Sequence, residues 1–293
     1  VIGGGTCEDA AVRWGDSGLD AAQVAFVERV LPGSVVVTDD SWGLLDTRVL
    51  HVRSSHGDHT VKACGPDNTH FPRELLAHRS WTGELVRHGD TAPLTHADVE
   101  ARVLVIDRIP GRLALGTDDE TSSDLHRQAG RILRRFHDQT AITDPDHLAV
   151  ETAKALRLLD APHRIDPATV RRVRSLLRSA EPHPVTVVPT HGDWHPRNWI
   201  VHEDRLHVID FGRFALRPAA TDLTRLAVLY WERKPRLEQA FIEGYGDDPR
   251  EADDWRWLQL REAVGTAVWA FAVGDPAFEA QGQRMLRAAL SAF

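Results

Sequence analysis

The first third of the chain reads as short β-rich runs broken by turns. SVVVTDD (34–40), DTRVLHVRS (46–54) and HTVKA (59–63) are rich in β-branched residues, with Ser41-Trp42-Gly43 and His56-Gly57-Asp58 between them as hairpin turns. This pattern predicts an antiparallel meander. A short helix precedes it over DAAQVAFVERVL, with Asp20 as N-cap and Pro32-Gly33 as its stop. After the meander, the spacing of Leu75, Leu76, Arg79 and Leu85 predicts one helix over 71–88, and strand-like segments follow at about 92–96 and 101–109.

From about residue 121 the apolar spacing changes to three and four, so SSDLHRQAGRILRRFHDQ, LAVETAKALRLL and ATVRRVRSLLRSA predict helices. The helical pattern breaks between 185 and 213 into VTVVPT, NWIVH and LHVIDF around a polar loop, and helices resume from about 219. The expectation is an α+β chain of two lobes: a small antiparallel β lobe with one main helix over 1–109, and a larger, mainly helical lobe over 110–293. Residues 1–18 carry glycines without periodicity and are expected to form a flexible arm. The triple glycine at 3–5 follows no strand and is therefore no dinucleotide loop.

A chain of 293 residues can bury a sizeable core, and 42% apolar with 27% charged residues excludes disordered and fibrous classes. Thirty-five basic against 43 acidic residues give a net charge of −8, which argues against a nucleic-acid or anionic-membrane partner and favours cationic or metal-chelated small molecules. No run approaches a membrane span, and the opening residues show no basic stretch followed by an apolar one, so a cytoplasmic location is expected. Cys7 and Cys64, far apart and outside any CxxC, are read as plain thiols. Among the basic residues only Lys62, Lys154 and Lys234 are lysine; the rest are arginine.

The strongest signal lies in the break: His191-Gly192-Asp193-Trp194-His195-Pro196-Arg197-Asn198, then Ile209-Asp210-Phe211-Gly212, then Asp222-Leu223. HGDxxxxN followed by an ID step and a DL step resembles the catalytic core of the aminoglycoside phosphotransferase and choline kinase family, relatives of protein kinases. The resemblance implies a protein-kinase-like fold and ATP-dependent phosphoryl transfer to a hydroxyl with Mg²⁺, GTP remaining open as an alternative donor. Such transfer is mostly positioning and charge neutralisation, so a carboxylate and an amide must point at one place. By resemblance, Asp193 is the base or positioning residue, Asn198 and Asp210 are metal ligands, His191 holds the loop, and Asp222 accepts hydrogen bonds from the loop backbone. Surface-loop and helix-cap roles are the plainer alternative for such residues.

The same resemblance places a nucleotide clamp in the β lobe. Lys62, a lysine in a chain that otherwise chooses arginine, stands on the third strand, where relatives carry the lysine that reaches the α- and β-phosphates, and Glu74 on the next helix is its natural ion-pair partner. The loop from Asp40 to Thr47 occupies the phosphate-covering position, giving Ser41, Gly43 and Thr47 as contacts, although a bland hairpin turn fits equally. Leu104 to Gly111 resembles the linker that binds adenine through main-chain groups, with the Asp107 carbonyl and the Ile109 amide as contacts; a buried edge strand is the other reading.

Relative to protein kinases, HGD replaces HRD, and only eleven residues separate Asp210 from Asp222, too few for a peptide-cradling activation segment. The acceptor is thus expected to be a small molecule, with a cationic antibiotic as the leading class, a metabolic alcohol such as choline, homoserine or a sugar as the second, and a nucleotide-binding regulator without turnover as the third. The acidic run Asp247, Asp248, Glu251, Asp253 and Asp254 is a candidate acceptor surface, against the alternative of a solvated helix-capping loop. His195 and the terminal Phe293 carboxylate are further acceptor candidates, with a partly exposed loop histidine and a frayed end as their plainer readings.

Overall fold

A computed structural model describes residues 14–42 and 46–293. The chain divides into two compact units: residues 1–112 with 200–203 and 207–213, and residues 113–199 with 204–206 and 214–293.

In the first unit, helix α1 (Ala21–Val30) starts with a reciprocal capping box, Asp20 accepting from the Gln23 amide at 2.9 Å and Gln23 Oε1 accepting from the Asp20 amide at 3.1 Å. Strands β1 (Val35–Asp39), β2 (Thr47–Ser54) and β3 (Gly57–Cys64) form the meander. Helices α2 (Phe71–Ser80) and α3 (Gly83–Arg87) follow, then β4 (Leu94–Asp98), β5 (Val103–Asp107) and the two-residue β6 (Arg112–Leu113), where the division falls. The first five strands make one antiparallel sheet in the order β1-β2-β3-β5-β4. One face packs on α1 through Phe26, Val27, Leu50, Val52, Val61 and Val105; Cys64, Leu104 and Ile106 pack with Phe71 and Leu75 of α2. That two-sided burial is the sheet's period of two made physical.

The expected helix over 71–88 is two helices. The amides of Trp81 and Thr82 both turn to the Ala77 carbonyl, and the buried Thr82 hydroxyl donates back to the His78 carbonyl, which ends α2 before Gly83 begins α3. Residues 1–13 of the expected arm lie outside the described residues. Residues 14–18 differ from an arm: Trp14–Asp16 form a 3₁₀ turn, the Trp14 indole donates to the Ser34 carbonyl at 3.2 Å, and Ser17 is buried.

The second unit contains α4 (Ser123–His137), β7 (Ile142–Asp144), α5 (His147–Leu158), α6 (Pro167–Ser179) and β8 (Val185–Thr190). Strands β9 (Trp199–His202) and β10 (Arg205–Val208) carry residues of both units. The second unit then continues with β11 (Ala215–Arg217), α7 (Thr224–Leu226), α8 (Pro235–Tyr245), α9 (Ala252–Val273) and α10 (Pro276–Leu290). β8 lies between β7 and β11 in a three-stranded antiparallel sheet. Its main core joins Leu177 of α6, Leu260 and Val264 of α9, and Leu286 of α10. Helices α4 and α8 touch backbone to backbone: a Cβ on Gly130 would stand 2.2 Å from the Phe241 carbonyl oxygen, and one on Gly244 would stand 2.0 Å from that of Arg127.

Candidate active site

In the first unit, β3 aligns Lys62 opposite Val49 of β2 and Leu104 of β5. Its Nζ donates to Glu74 Oε1 at 2.6 Å and to Asp210 Oδ1 at 3.1 Å. Lys62 and Glu74 are 8% and 5% exposed, so neither is a solvent-facing surface partner. Burial pushes the Lys62 amine down, but the Asp210 and Glu74 carboxylates outweigh it and hold the amine above its ordinary value. Burial raises Glu74, with the Lys62 charge opposing. Glu74 stands in the first turn of α2, whose start is fixed by Asn68 Oδ1 accepting the amides of His70 and Phe71. Asp210 has a left-handed backbone, φ 68°, a conformation costing about 1–2 kcal/mol for a non-glycine residue. Its contact with the Lys62 amine holds the side chain there.

The proposed nucleotide-side residues are placed as follows. The Ser41 amide donates to Asp39 Oδ1, and Ser41 Oγ accepts the Val49 amide at 2.9 Å, so this hydroxyl closes the β1–β2 hairpin. Thr47 Oγ1 accepts from Asn68 Nδ2 at 2.9 Å. Gly43 lies outside the described residues, as does Cys7; Cys64 is a buried free thiol. Asp107 ends β5, its amide donating to the Pro93 carbonyl and its carboxylate standing 3.4 Å from the His59 ring, while Ile109 packs on the Phe71–Leu75 cluster.

In the second unit, β8 delivers the chain into the HGD loop. Asp222, 2% exposed, accepts the amides of His191 at 2.8 Å and Gly192 at 2.6 Å, and stands 3.1 Å from His137 Nε2. His137 in turn meets the Tyr245 hydroxyl at 2.8 Å through Nδ1, so α4 and α8 both brace Asp222. Burial raises the Asp222 carboxyl, but the His137 contact and the loop amides reverse it, and the net direction is down. His191 Nδ1 accepts the Asp193 amide at 3.2 Å, and the buried rings of Trp194 and Trp199 pack beside the loop.

Asp193 is 3% exposed and crowded by cations. Arg197 donates to Oδ2 at 2.8 Å, Arg225 Nε ion-pairs with Oδ1 at 2.8 Å, and His195 Nε2 stands 3.3 Å from Oδ1. Asn198 Nδ2 donates to the Asp193 carbonyl at 2.8 Å and to Oδ2 at 3.2 Å, which fixes the orientation of the amide. His195 corrects the reading of a partly exposed loop residue: it is 6% exposed, because the 3₁₀ turn Pro196–Asn198 folds back and the Asn198 amide bonds the His195 carbonyl. Burial pulls its imidazole below the ordinary value, with the Asp193 carboxylate opposing.

Arg197, Arg225, His137 and Tyr245 were not singled out from the sequence. Only Arg197 lies within the motif, and nothing in its spacing distinguishes it from a surface arginine.

The acidic run near α9 is not a free negative patch. Asp247 pairs with Arg134, Asp248 with Arg250 at 2.6 Å, Asp253 with Arg256 at 3.3 Å and Asp254 with His183 at 3.1 Å, while Glu251 occupies the N-cap position of α9. The Phe293 ring is anchored 4.5 Å from Trp257, with the Arg256 guanidinium 5.1 Å from it. Among the described residues no three His, Cys, Asp or Glu side chains gather as a metal cage, and no helix is long and apolar enough to cross a membrane.

Solved structures share this fold. A choline kinase from Streptococcus pneumoniae is 17% identical, with 92% of this chain and 96% of that chain covered at a TM-score of 0.64. A macrolide 2′-phosphotransferase from Brachybacterium faecium is 20% identical, with 90% and 96% covered at 0.58. A spectinomycin phosphotransferase, solved with ADP and spectinomycin, is 14% identical, with 94% and 99% covered at 0.60. Among curated proteins no sequence matches. The family model described as "Phosphotransferase enzyme family" matches residues 37–260. With that match over most of its length, the chain belongs to the phosphotransferase enzyme family and has the protein-kinase-like fold of those structures.

Proposed function

We propose that the enzyme moves the γ-phosphoryl group of ATP to a hydroxyl of an antibiotic-sized molecule and thereby inactivates it. The observation that carries the nucleotide half is the buried Lys62 amine held by Glu74 and Asp210, a fixed positive charge suited to phosphate oxygens. Asp193 orients the attacking hydroxyl, and Asp222 with His191 holds its loop. Among the fold neighbours, those named as macrolide and spectinomycin phosphotransferases support an antibiotic acceptor.

The residues present fit a magnesium ion. Asn198 offers an amide oxygen and Asp210 a carboxylate, both hard donors, and an Mg²⁺ site of this kind uses few protein groups with phosphates and water completing the shell. When bound, the ion neutralises charge on the phosphates. Asn198 and Asp210 would hold it, with Lys62 keeping Asp210 oriented and Asp193 positioning the acceptor. The Asp107 carbonyl and the Ile109 amide would meet the adenine, and Ser41 and Thr47 flank the loop that would cover the phosphates.

A second reading, a kinase of a metabolic alcohol, is favoured by one feature: Arg197 and Arg225 beside Asp193, with the acidic run already paired, give the acceptor side no surplus of negative charge for a polycation. ADP release measured over macrolides, spectinomycin, aminoglycosides, choline and sugars separates the readings. Turnover confined to choline or sugars contradicts the antibiotic reading, and ATP binding without turnover on any acceptor returns the regulator.

A further inference from the structure

Two residues on one helical stretch of the second unit meet the HGD loop. The 3₁₀ turn Ala219–Leu223 runs directly into α7, so Asp222 and Arg225, three positions apart, share a face. Asp222 takes the loop by its backbone, through the amides of His191 and Gly192. Arg225 takes the next residue by its side chain, its Nε standing 2.8 Å from Asp193 Oδ1. Asp193 is buried and the Arg225 side chain is 26% exposed, so this is no solvent-screened surface pair.

The Asp193 carboxylate needs that second hold. Asp222 fixes the loop backbone but leaves the Asp193 side chain its own torsions. Oδ2 is held from inside the loop, by Arg197 Nη2 at 2.8 Å and by Asn198 Nδ2 at 3.2 Å. One restrained oxygen still lets the carboxylate plane swing about Cβ–Cγ. On Oδ1, His195 stands at 3.3 Å, and burial pulls its imidazole toward the uncharged form. The Arg225 guanidinium keeps its charge, and it reaches Oδ1 from outside the loop.

The stretch that carries Arg225 is itself anchored. After α7 the chain makes one π-helical turn, Ala227–Trp231, a form that recurs at functional sites. Its Tyr230 hydroxyl donates to Glu120 Oε1 at 3.0 Å, and Trp231 is buried. Arg225 thus stands between two fixed points, Asp222 before it and this turn after it. We propose that Arg225 is a positioning residue for phosphoryl transfer: it sets the plane of the Asp193 carboxylate and so the direction in which the acceptor hydroxyl is aimed. The role rests on the reading of Asp193 as the group that orients that hydroxyl.

The test is a double-mutant cycle on transfer of labelled γ-phosphate from ATP. It is read on whichever of spectinomycin, macrolides, aminoglycosides, choline and sugars the wild type labels, and on water where it labels none. A misplacement of about 1 Å costs about a hundredfold in rate, so Arg225→Met and Arg225→Gln are expected to lower kcat about ten- to a hundredfold with the KM for ATP unchanged. Arg225→Lys is expected to recover part of the loss, returning the charge without the rigid fork. In the Asp193→Asn background Arg225→Met is expected to add less than about twofold, because the group it positions is gone. Melting temperatures of the single variants are expected within about 5 °C of wild type, since Arg197 still pairs with Asp193. Wild-type kcat per folded molecule in Arg225→Met and Arg225→Gln overturns the proposal, and so do losses that multiply in the double variant. Near wild-type transfer by Asp193→Asn is a different result: it removes the reading of Asp193 itself, and the role of Arg225 with it.

Discussion

Replacing Asp222 by alanine should loosen the HGD loop. The carboxylate accepts two backbone amides, at 2.8 and 2.6 Å, and contacts His137 at 3.1 Å, all at 2% exposure. Each lost charge-assisted bond is worth about 1.5–3 kcal/mol, and the loss orphans the amide of the buried His191 as well as that of the part-buried Gly192. The sum is about 3–6 kcal/mol, large enough that the chain will release part of it by unfolding the loop locally. Asp222→Asn keeps one oxygen but turns an N–H₂ toward one amide, so it should cost roughly half as much. The assay pairs urea unfolding midpoints with hydrogen exchange at residues 191–198. Faster exchange there, together with a destabilisation of about 3 kcal/mol or more in Asp222→Ala and an intermediate value in Asp222→Asn, is expected. A change below about 1 kcal/mol with unaltered exchange would refute the bracing role.

Further outcomes follow from other parts of the molecule. Lys62→Met should lower phosphoryl transfer about a hundredfold, and Lys62→Arg should not rescue it, because the larger fork cannot replace an ammonium seated 2.6 Å from Glu74; steady-state kinetics at saturating ATP reads this. Gly130→Ala should cost about 1–3 kcal/mol by forcing α4 away from the Phe241 carbonyl, visible as a lower melting temperature. Acid should destabilise the fold: burial holds His78 at about 3 and His126 at about 4, against an ordinary value near 6.5. The unfolded chain therefore binds more protons between those values, and stability falls as pH drops below about 6.5, by at most about 1.4 kcal/mol per pH unit per histidine. Urea midpoints unchanged from pH 7 to pH 4.5 would contradict that.

Local chemistry made much of the fold readable. The capping pair Asp20 and Gln23, the β-branched runs that become β1 to β3, and the three- and four-residue spacing of α4 to α6 are each settled by short-range preferences. The break after Ser80 was hidden, because it depends on a threonine hydroxyl turning back to the His78 carbonyl, which periodicity does not encode. In the candidate site, the motif marked Asp193, Asn198, Asp210 and Asp222, and one unusual lysine marked Lys62. The guanidiniums on Asp193 were not legible, since Arg225 arrives from 32 residues downstream and a chain rich in arginine gives no cue as to which ones turn inward. The acidic run near α9 misled for a related reason: Arg250 and Arg256 stand within or beside it, but Arg134 and His183, which meet Asp247 and Asp254, come from distant elements and are invisible in linear order.

Phosphoryl transfer positioned by Asp193 is tested by following labelled γ-phosphate from ATP to a panel of hydroxyl-bearing small molecules with wild type and Asp193→Asn. Acceptor-dependent labelling by the wild type, a loss of about 10²–10⁴-fold in the variant, and equal ATP affinity in the two proteins are expected. Near wild-type transfer by Asp193→Asn would contradict it, as would a wild-type enzyme that labels nothing in the panel.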